Sequence, residues 1–363
     1  MGGSALAISR VTTYPVIAPL DPPIVTASGA VPNAPLLLID LETNQGLIGR
    51  SYLIAYNPIA LRPLDHLVRN LVETIVGAPV VPFDIEARLR KNFILFGGSR
   101  GLAGLAVSGI DTAVWDILAQ AMDRPLATLL GGSPRPLQAY NSIGMIAPEE
   151  AEAQARATSE RGFKALKVKL GWPDAARDRA VVEALRKALP AGVEIMVDFN
   201  QSLSVPEAIR RGRMLDDLAL TWIEEPIRCD DYVGCAAVAA ALDTPVQIGE
   251  NFSGIHDMEM ALGVDPCGFV MIDIQQIGGV TGWLRAAALA EAAGKGCSSH
   301  LFVETSAHLL AVTPTFHWLE YIDMAGAILR ERPTVVDGMV TAPERAGNGL
   351  GWDEAAVKRY RID

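Results

Sequence analysis

The sequence predicts an α/β protein in which an N-terminal α+β region precedes a barrel of parallel strands. The chain has 363 residues, of which 50% are hydrophobic and only 20% are charged, so it can bury a large core. From about residue 136, short β-rich segments alternate with helical segments, as they do in βαβ units. Ionisable residues recur near the ends of these segments, about one βα unit apart.

The N-terminal third is predicted to be α+β. Residues 8–17 and 36–40 are strand-like, and a turn at 44–46 leads into a third strand. Residues 21–33 are rich in proline and small residues and show no regular period, so we expect a loop there. A loop of this length commonly covers a binding site. Hydrophobic residues three and four apart predict helices after the third strand, including one at about 104–122.

Eight β-rich segments follow the N-terminal region. They are QAYNSIGM, FKALKVKL, EIMVDFN, LTWIEEP, PVQIGEN, GFVMIDI, KGCSSHL and HWLEYI. Eight parallel strands with crossover helices fit a closed barrel. The alternative is an open doubly wound sheet, which should carry a G-x-G-x-x-G turn after its first strand. Because no such turn follows any of the eight segments, the barrel is favoured.

Polar or charged residues close every segment except the first. These residues are Lys167, Lys169, Asp198, Asn200, Glu224, Glu225, Glu250, Asp273, His300 and Glu320. The carboxyl ends of barrel strands form the face where barrel active sites are built, so we expect these side chains to converge. One of them alone could be an inert polar cap. Seven strand ends in register need another explanation, because clustered carboxylates repel one another unless a cation neutralises them.

Three of the carboxylates predict a metal site. Asp198, Glu224 and Glu250 end three successive strands and offer hard oxygen ligands. A carboxylate set without cysteine or histidine suits Mg²⁺ or Mn²⁺ better than zinc. The four cysteines of the chain show no zinc-ligand spacing and are expected to be reduced thiols.

The remaining groups predict two bases. Lys167 and Lys169 lie two residues apart and therefore on the same side of a strand. Crowding two ammonium groups should lower the pKa of one of them, which makes a neutral lysine base plausible. Asp273 lies on the strand before His300, and a carboxylate bonded to an imidazole fixes its tautomer and raises its basicity. Two bases on opposite sides of one substrate can remove a proton from one face and return it to the other.

Nearly the whole chain resembles the enolase superfamily and, within it, the mandelate racemase subgroup. The motifs that carry this resemblance are GIDTAVWDILAQAMDRPLATLLGG, LKVKLG, VDFNQS, WIEEP, GEN, IGGVTGW, SSHLF and HLLAVTPTFHWLE. Together they are specific, although K-x-K or E-E-P alone would be weak. The resemblance implies an α+β capping domain at residues 1–134 with a lid loop at 19–33. It further implies a modified TIM barrel, (β/α)7β, at 135–325, and a C-terminal segment at 326–363 that packs back on the cap.

The resemblance also implies a role for each site residue. It implies Mg²⁺ ligation by Asp198, Glu224 and Glu250, and two-base chemistry by Lys169 and His300. The other implied roles are Asp273 as the partner of His300, Glu320 as the acid that hydrogen-bonds the substrate carboxylate, Lys167 as the cation that contacts it, and Asn200, Ser142 and Tyr56 as polar groups of the pocket.

The sequence departs from the subgroup pattern at two positions. Gln276 stands where the pattern has a lysine, which removes a positive charge near the metal, and Ile143 stands in place of a histidine, which makes the pocket more apolar. The lid region contributes Ile24, Val25 and Val31 and no basic residue, which suits a substrate with an aryl or apolar substituent. The alternative is that these apolar residues only anchor the loop.

Three functions are compatible with these residues. The first is a Mg²⁺-dependent racemase of a 2-hydroxy acid, mandelate or a close relative, that works through an enediolate. The second is an acid-sugar dehydratase, in which His300 protonates a leaving β-hydroxyl. The third is a ligand-binding protein without catalysis. The apolar lid favours the first, and the complete set of ligands and bases argues against the third.

Charge and composition limit the partners. The formal charge of −11 argues against nucleic acid and anionic membranes, and a small-molecule carboxylate is the expected ligand. No signal-peptide pattern or long apolar run is visible, so a cytoplasmic protein is expected. The resemblance implies a homo-oligomer, often an octamer.

Overall fold

The cap is built on a three-stranded antiparallel sheet. In the computed structural model, which describes residues 5–26 and 29–362, β1 (Ile8–Thr26) pairs with β2 (Gly29–Thr43), and β2 pairs with β3 (Ile48–Ile54). Successive residues of β2 point to opposite faces of the sheet, and most of them are buried on either face. One face belongs to the same core as the barrel, and the other packs on the cap helices.

Four helices complete the cap. They are α1 (Pro58–Glu73), α2 (Pro82–Lys91), α3 (Leu102–Ala121) and α4 (Leu126–Leu129). Helix α3 is long and apolar enough to cross a membrane, but 78% of its most apolar 18-residue stretch is buried inside the protein. It packs against the cap sheet and against a barrel helix, and this burial explains its apolar composition.

The loop predicted at residues 21–33 is wrong for the part of it that the structure describes, because β1 and β2 continue through it as a hairpin. Ile24 pairs with Val31 across this hairpin. Pro22 and Pro23 lie in the edge strand β1, where its pairing with β2 is irregular, and Pro32 lies in β2 before the part that pairs with β3. Prolines are tolerated at such places, and they hide the alternation that would have indicated a strand. The Met145 amide donates to the Val25 carbonyl (2.7 Å), so the hairpin rests on the segment after the first barrel strand.

Eight parallel strands form the predicted barrel. They are β4 (Leu137–Ile143), β5 (Ala165–Lys169), β6 (Glu194–Asp198), β7 (Ile223–Glu224), β8 (Val246–Ile248), β9 (Phe269–Asp273), β10 (Gly296–His300) and β11 (Leu319–Tyr321). Strand β11 pairs with β4, and a bridge from Cys297 to Phe316 joins β10 to the segment before β11. The ring is therefore closed, which confirms the barrel and excludes the open sheet.

The barrel interior is layered. An apolar plug of six buried residues fills its lower part: Tyr140, Ala165, Met196, Trp222, Met271 and Trp318. The residues two positions later on the same strands are Ser142, Lys167, Asp198, Glu224, Asp273 and Glu320. Because side chains two residues apart on a strand share a side, the polar set forms a layer directly above the plug.

Helices surround the barrel, and the chain then returns to the cap. The outer helices are α5 (Ala151–Glu160), α6 (Ala175–Ala188), α7 (Val205–Leu215), α8 (Tyr232–Ala241), α9 (Ile255–Leu262), α10 (Ile274–Ile277), α11 (Gly279–Ala292) and α12 (Val303–Ala311). A hairpin of β12 (Val335–Val336) and β13 (Met339–Val340) pairs with β4, and α13 (Glu354–Tyr360) packs on β1. The Trp352 indole donates to Asp40 on β2 (2.7 Å).

Asp111 ties the cap to the barrel. Its carboxylate, fully buried on α3, accepts hydrogen bonds from the Thr281 amide (2.9 Å) and hydroxyl (2.6 Å) on α11. Burial raises the pKa of Asp111 to about 7, and the bonds to Thr281 oppose this rise. Between about pH 4 and pH 7, Asp111 is therefore protonated in the folded protein and ionised in the unfolded chain.

We expect Asp111→Ala to lower the free energy of unfolding by about 2–3 kcal/mol, because two buried donors of Thr281 lose their acceptor. The contribution of a group whose folded pKa is raised is complete at low pH and declines as the pH rises through the folded value. The cost should therefore be larger at about pH 5.5 than at about pH 8 in urea unfolding. Glu291→Ala, an exposed change on α11, is the control, and an equal cost in both variants would contradict the role of Asp111.

Candidate active site

Three carboxylates meet at the mouth of the barrel. Asp198, Glu224 and Glu250 each offer one oxygen atom, and these atoms all lie within 4.8 Å of one another. Asp198 and Glu224 are fully buried, and Glu250 is partly buried. The strands supply this convergence, since all three residues lie at or just beyond the carboxyl ends of adjacent strands. A set of three hard oxygen donors could hold a divalent cation such as Mg²⁺.

Two lysines neutralise part of this charge. Lys169 Nζ lies 2.6 Å from Asp198 Oδ2. Lys167 Nζ contacts Glu224 and lies 2.7 Å from Glu320 Oε1. Both lysines are buried, so their ion pairs are poorly screened by water.

The expected lowering of a lysine pKa is not found. Burial lowers the pKa of both Lys167 and Lys169, but the surrounding carboxylates outweigh burial and raise both values. The prediction of a lowered pKa is wrong when only the charges of the protein are considered. It took account of the repulsion between the two ammonium groups but not of the attraction to the closer carboxylates. A cation on Asp198 and Glu224 would share those carboxylates and weaken their hold on the lysines.

The carboxylates titrate differently from one another. Burial raises the pKa of Glu224 to about 7, against the opposing pull of Lys167. Asp198 is equally buried, yet Lys169 and Lys167 together bring its pKa below the usual value. The charges of Asp198, Glu250 and Glu320 add to the rise in the pKa of Glu224, and a bound divalent cation would relieve this repulsion.

His300 and Asp273 form the predicted pair. His300 Nδ1 lies 2.7 Å from Asp273 Oδ2, and His300 Nε2 lies 3.4 Å from Glu250 Oε2. The other Asp273 oxygen accepts the amides of Gln275 (2.8 Å) and Gln276 (3.1 Å), which fixes the carboxylate at the start of α10. Burial lowers the pKa of His300, but Glu250 and the bond to Asp273 raise it to about 10.

The two candidate bases reach the carboxylate cluster from different sides. Lys169 ends β5 and contacts Asp198, whereas His300 ends β10 and contacts Glu250. Around the closed ring, β5 and β10 are separated by β4 and β11 on one side and by four strands on the other. The two side chains therefore stand on roughly opposite sides of the barrel mouth.

The predicted pocket residues have different environments. Asn200 binds Asp198, through its amide (2.7 Å) and its side chain (2.9 Å), and its buried Oδ1 has no partner among the described residues. The buried Ser142 hydroxyl likewise has no partner in the described part of the chain. Tyr56 is 50% exposed. Ile24 and Val31 are half-buried and pack on the core that the cap shares with the barrel.

Two residues near the site were not assigned a role from the sequence. Glu225 follows Glu224, and strand alternation would point it away from the barrel interior. Its left-handed backbone (φ 37°) turns it, and it accepts a hydrogen bond from Asn251 (2.9 Å). Burial, Glu250 and Asp198 raise the pKa of Glu225 well above its usual value. Gln275 accepts the Ile54 amide (2.9 Å) and so links the cap to the segment after Asp273.

The two departures from the subgroup pattern lie in different surroundings. Gln276 is half-buried and lines a cleft between the cap and α9, together with Arg100 and His256. Among the described contacts, none joins its side chain to the carboxylate cluster. Ile143 is half-buried at the end of β4, next to Ser142.

Family models match most of the chain. Residues 8–131 match the model described as mandelate racemase / muconate lactonizing enzyme, N-terminal domain, and residues 150–356 match enolase C-terminal domain-like. The chain is 34% identical to L-talarate/galactarate dehydratase of Salmonella typhimurium over 79% of its own length and 73% of that protein.

Two solved structures share the whole fold. An enolase from Bradyrhizobium complexed with magnesium and mandelic acid is 44% identical, with a TM-score of 0.96 and 100% of both chains covered. A racemase from Streptomyces coelicolor with bound magnesium is 30% identical, with a TM-score of 0.90, covering 98% of this chain and 100% of the other.

We expect Asp198→Asn, Glu224→Gln and Glu250→Gln each to weaken Mg²⁺ binding by more than about tenfold, because even residues behind metal ligands contribute that much. Isothermal titration calorimetry with MgCl₂ measures the change. Glu304→Gln is the matched control, since Glu304 is a buried glutamate outside the cluster. Equal Mg²⁺ affinity in Glu224→Gln and Glu304→Gln would place the ion elsewhere.

Proposed function

The chain belongs to the enolase superfamily, within its mandelate racemase subgroup, and from this membership we propose that it racemises a 2-hydroxy acid, mandelate or a close aryl or apolar relative. It is a Mg²⁺-dependent enzyme of that superfamily. One observation carries the proposal, namely that Lys169 and His300 reach the same carboxylate cluster from roughly opposite sides. A pair of bases so placed can act on both faces of one carbon atom.

The residues divide the reaction between them. We assign Asp198, Glu224 and Glu250 as the Mg²⁺ ligands, and the bound ion supplies positive charge that stabilises an anionic substrate carboxylate. Lys169 takes the α-proton of one enantiomer, and His300 returns a proton to the opposite face of the enediolate. For the other enantiomer the two residues exchange tasks. Asp273 holds His300 by its Nδ1 atom, so that Nε2 faces the substrate.

Lys167 and Glu320 act on the substrate carboxylate in this proposal. Glu320 pairs with Lys167, and the charges of Lys167 and His300 overcome burial and lower the pKa of Glu320 to about 2. In the free protein Glu320 is therefore ionised. A substrate carboxylate beside Lys167 competes for that cation and repels Glu320, which favours the protonated form that can donate to the enediolate. The Asn200 and Ser142 oxygens, which have no partner among the described residues, are available to a substrate hydroxyl.

Apolar residues of the hairpin and of the end of β4 support an aryl or alkyl substituent on the substrate. Ile24 and Val31 of the hairpin are apolar, as is Ile143 at the barrel mouth. The relative from Bradyrhizobium was solved with mandelic acid. A polyhydroxylated acid would need additional hydrogen-bonding or basic side chains, and the described residues of the hairpin tip offer no arginine, lysine or histidine.

The alternative function is acid-sugar dehydration. It is favoured by the 34% identity to a talarate/galactarate dehydratase. In that reaction the same base removes the α-proton, and His300 protonates a departing β-hydroxyl, which leaves as water. We also propose that the protein is a cytoplasmic homo-oligomer. Ile94, Leu95 and Phe96 are exposed apolar residues, and Leu95 is 96% exposed, which supports an interface between copies of the chain at this segment.

We expect the enzyme with Mg²⁺ in D₂O to exchange the α-proton of both (R)- and (S)-mandelate and to remove their optical rotation. Proton NMR and polarimetry measure the two outcomes. Absence of both would contradict racemisation of mandelate. A set of sugar acids assayed for 2-keto products then tests the dehydratase, and formation of such a product without racemisation would favour it.

We expect Lys169→Met and His300→Asn each to lower racemisation by about 10²–10⁴-fold, the usual contribution of a general base. Each variant should still exchange the α-proton of one enantiomer, and the two variants should retain opposite enantiomers. Lys187→Met and His66→Asn, changes at exposed residues, are the controls. Loss of exchange from both enantiomers in either base variant would argue against two-base chemistry.

A further inference from the structure

A basic cleft lies between the cap sheet and the returning C-terminal segment. Its volume is about 600 Å³, within the range of small-molecule sites. Four cationic side chains line it, Arg50, Arg330, Lys358 and Arg361, with only two acids, Asp40 and Glu354. Such an excess of positive charge is unexpected in a chain whose formal charge is −11.

The acid at the floor of the cleft is already engaged. Asp40 accepts the Trp352 indole (2.7 Å), and its Oδ1 lies 3.3 Å from Arg50 Nε. Arg50 Nε is nevertheless buried and makes no hydrogen bond within the described part of the chain. The Asp40 carboxylate is thus engaged by Arg50 of the cap and Trp352 of the C-terminal segment, and its negative charge offsets that of Arg50 rather than the charges of the cleft walls.

The cations of the walls have no acidic partner. Among the ion pairs of the described residues, none includes Arg330, Lys358 or Arg361. The guanidinium of Arg361 lies over the Tyr14 ring at 5.6 Å. Unpaired cations are ordinary on convex surfaces, but three that converge with Arg50 on one concavity raise its electrostatic potential together.

We propose that this cleft binds a small polyanion, a molecule with two or more carboxylate or phosphate groups. A ligand with one negative charge would compete poorly with salt anions for these side chains. A ligand with several charges can engage Arg50, Arg330, Lys358 and Arg361 at once. Arginine forks suit carboxylate and phosphate equally well, so the shared chemistry of the two groups defines the ligand. The site is distinct from the catalytic one, because its lining includes none of the residues assigned to the reaction.

Calorimetry with the Mg²⁺-loaded enzyme at constant ionic strength tests the proposal. Tricarballylate probes carboxylates, propane-1,3-bisphosphonate probes phosphates, and acetate is the monoanion control. We expect one molecule of at least one polyanion to bind per chain and acetate not to bind. Binding of only one polyanion identifies the preferred group.

The double variant R330Q/K358Q should weaken that binding by about tenfold, since two exposed charges are removed. The matched control R156Q/K187Q removes the same charge from exposed positions on α5 and α6 and should change affinity by less than about twofold. No binding of either polyanion to the unaltered enzyme would overturn the proposal. Equal affinities in the two double variants would also overturn it, because the probe would then occupy another site, such as the active site.

Discussion

The structure depends on the burial of opposite charges in a single layer of the barrel. Asp198, Glu224, Glu320 and Lys167 lie in one layer above the apolar plug, and Lys169 follows Lys167 two residues further along β5. Isolated buried charges are strongly unfavourable, so each must be paired with another charge or with a metal ion. The barrel satisfies this requirement by placing charged residues at the ends of neighbouring strands, within a few ångströms of an opposite charge. Removing one charged residue of such a pair would leave the other charge buried without an opposite charge beside it.

The same constraint explains how the plug and the site are related. Each plug residue precedes a site residue by two positions on its strand, as Met196 precedes Asp198 and Trp222 precedes Glu224. Alternation along the strand fixes both sets at once. The apolar layer keeps water out of the barrel from below, and the cap covers part of the mouth through the hairpin that contacts Met145. Low local polarity then strengthens every charge interaction that the chemistry uses.

Much of this arrangement could be predicted from the sequence, because barrel strands have a strict order and a strict period. Charged residues one βα unit apart had to converge, and they do. The features that escaped prediction depend on local conformation. The hairpin through Ile24 and Val31 lacks alternation because prolines interrupt both of its strands. Glu225 has a left-handed backbone, which breaks the strand alternation that would point its side chain away from the barrel interior. The raised lysine pKa values depend on distances to carboxylates that no pattern along the chain contains.

A crystal structure with Mn²⁺ in place of Mg²⁺ and a bound 2-hydroxy acid tests the central claim most directly, because the anomalous signal locates the ion. The account predicts a single site per chain whose ligands are oxygen atoms of Asp198, Glu224 and Glu250, at about 2.0–2.3 Å. It also predicts that Lys169 and His300 face opposite sides of the α-carbon. An ion bound away from these carboxylates, or both bases on one face of the substrate, would contradict it.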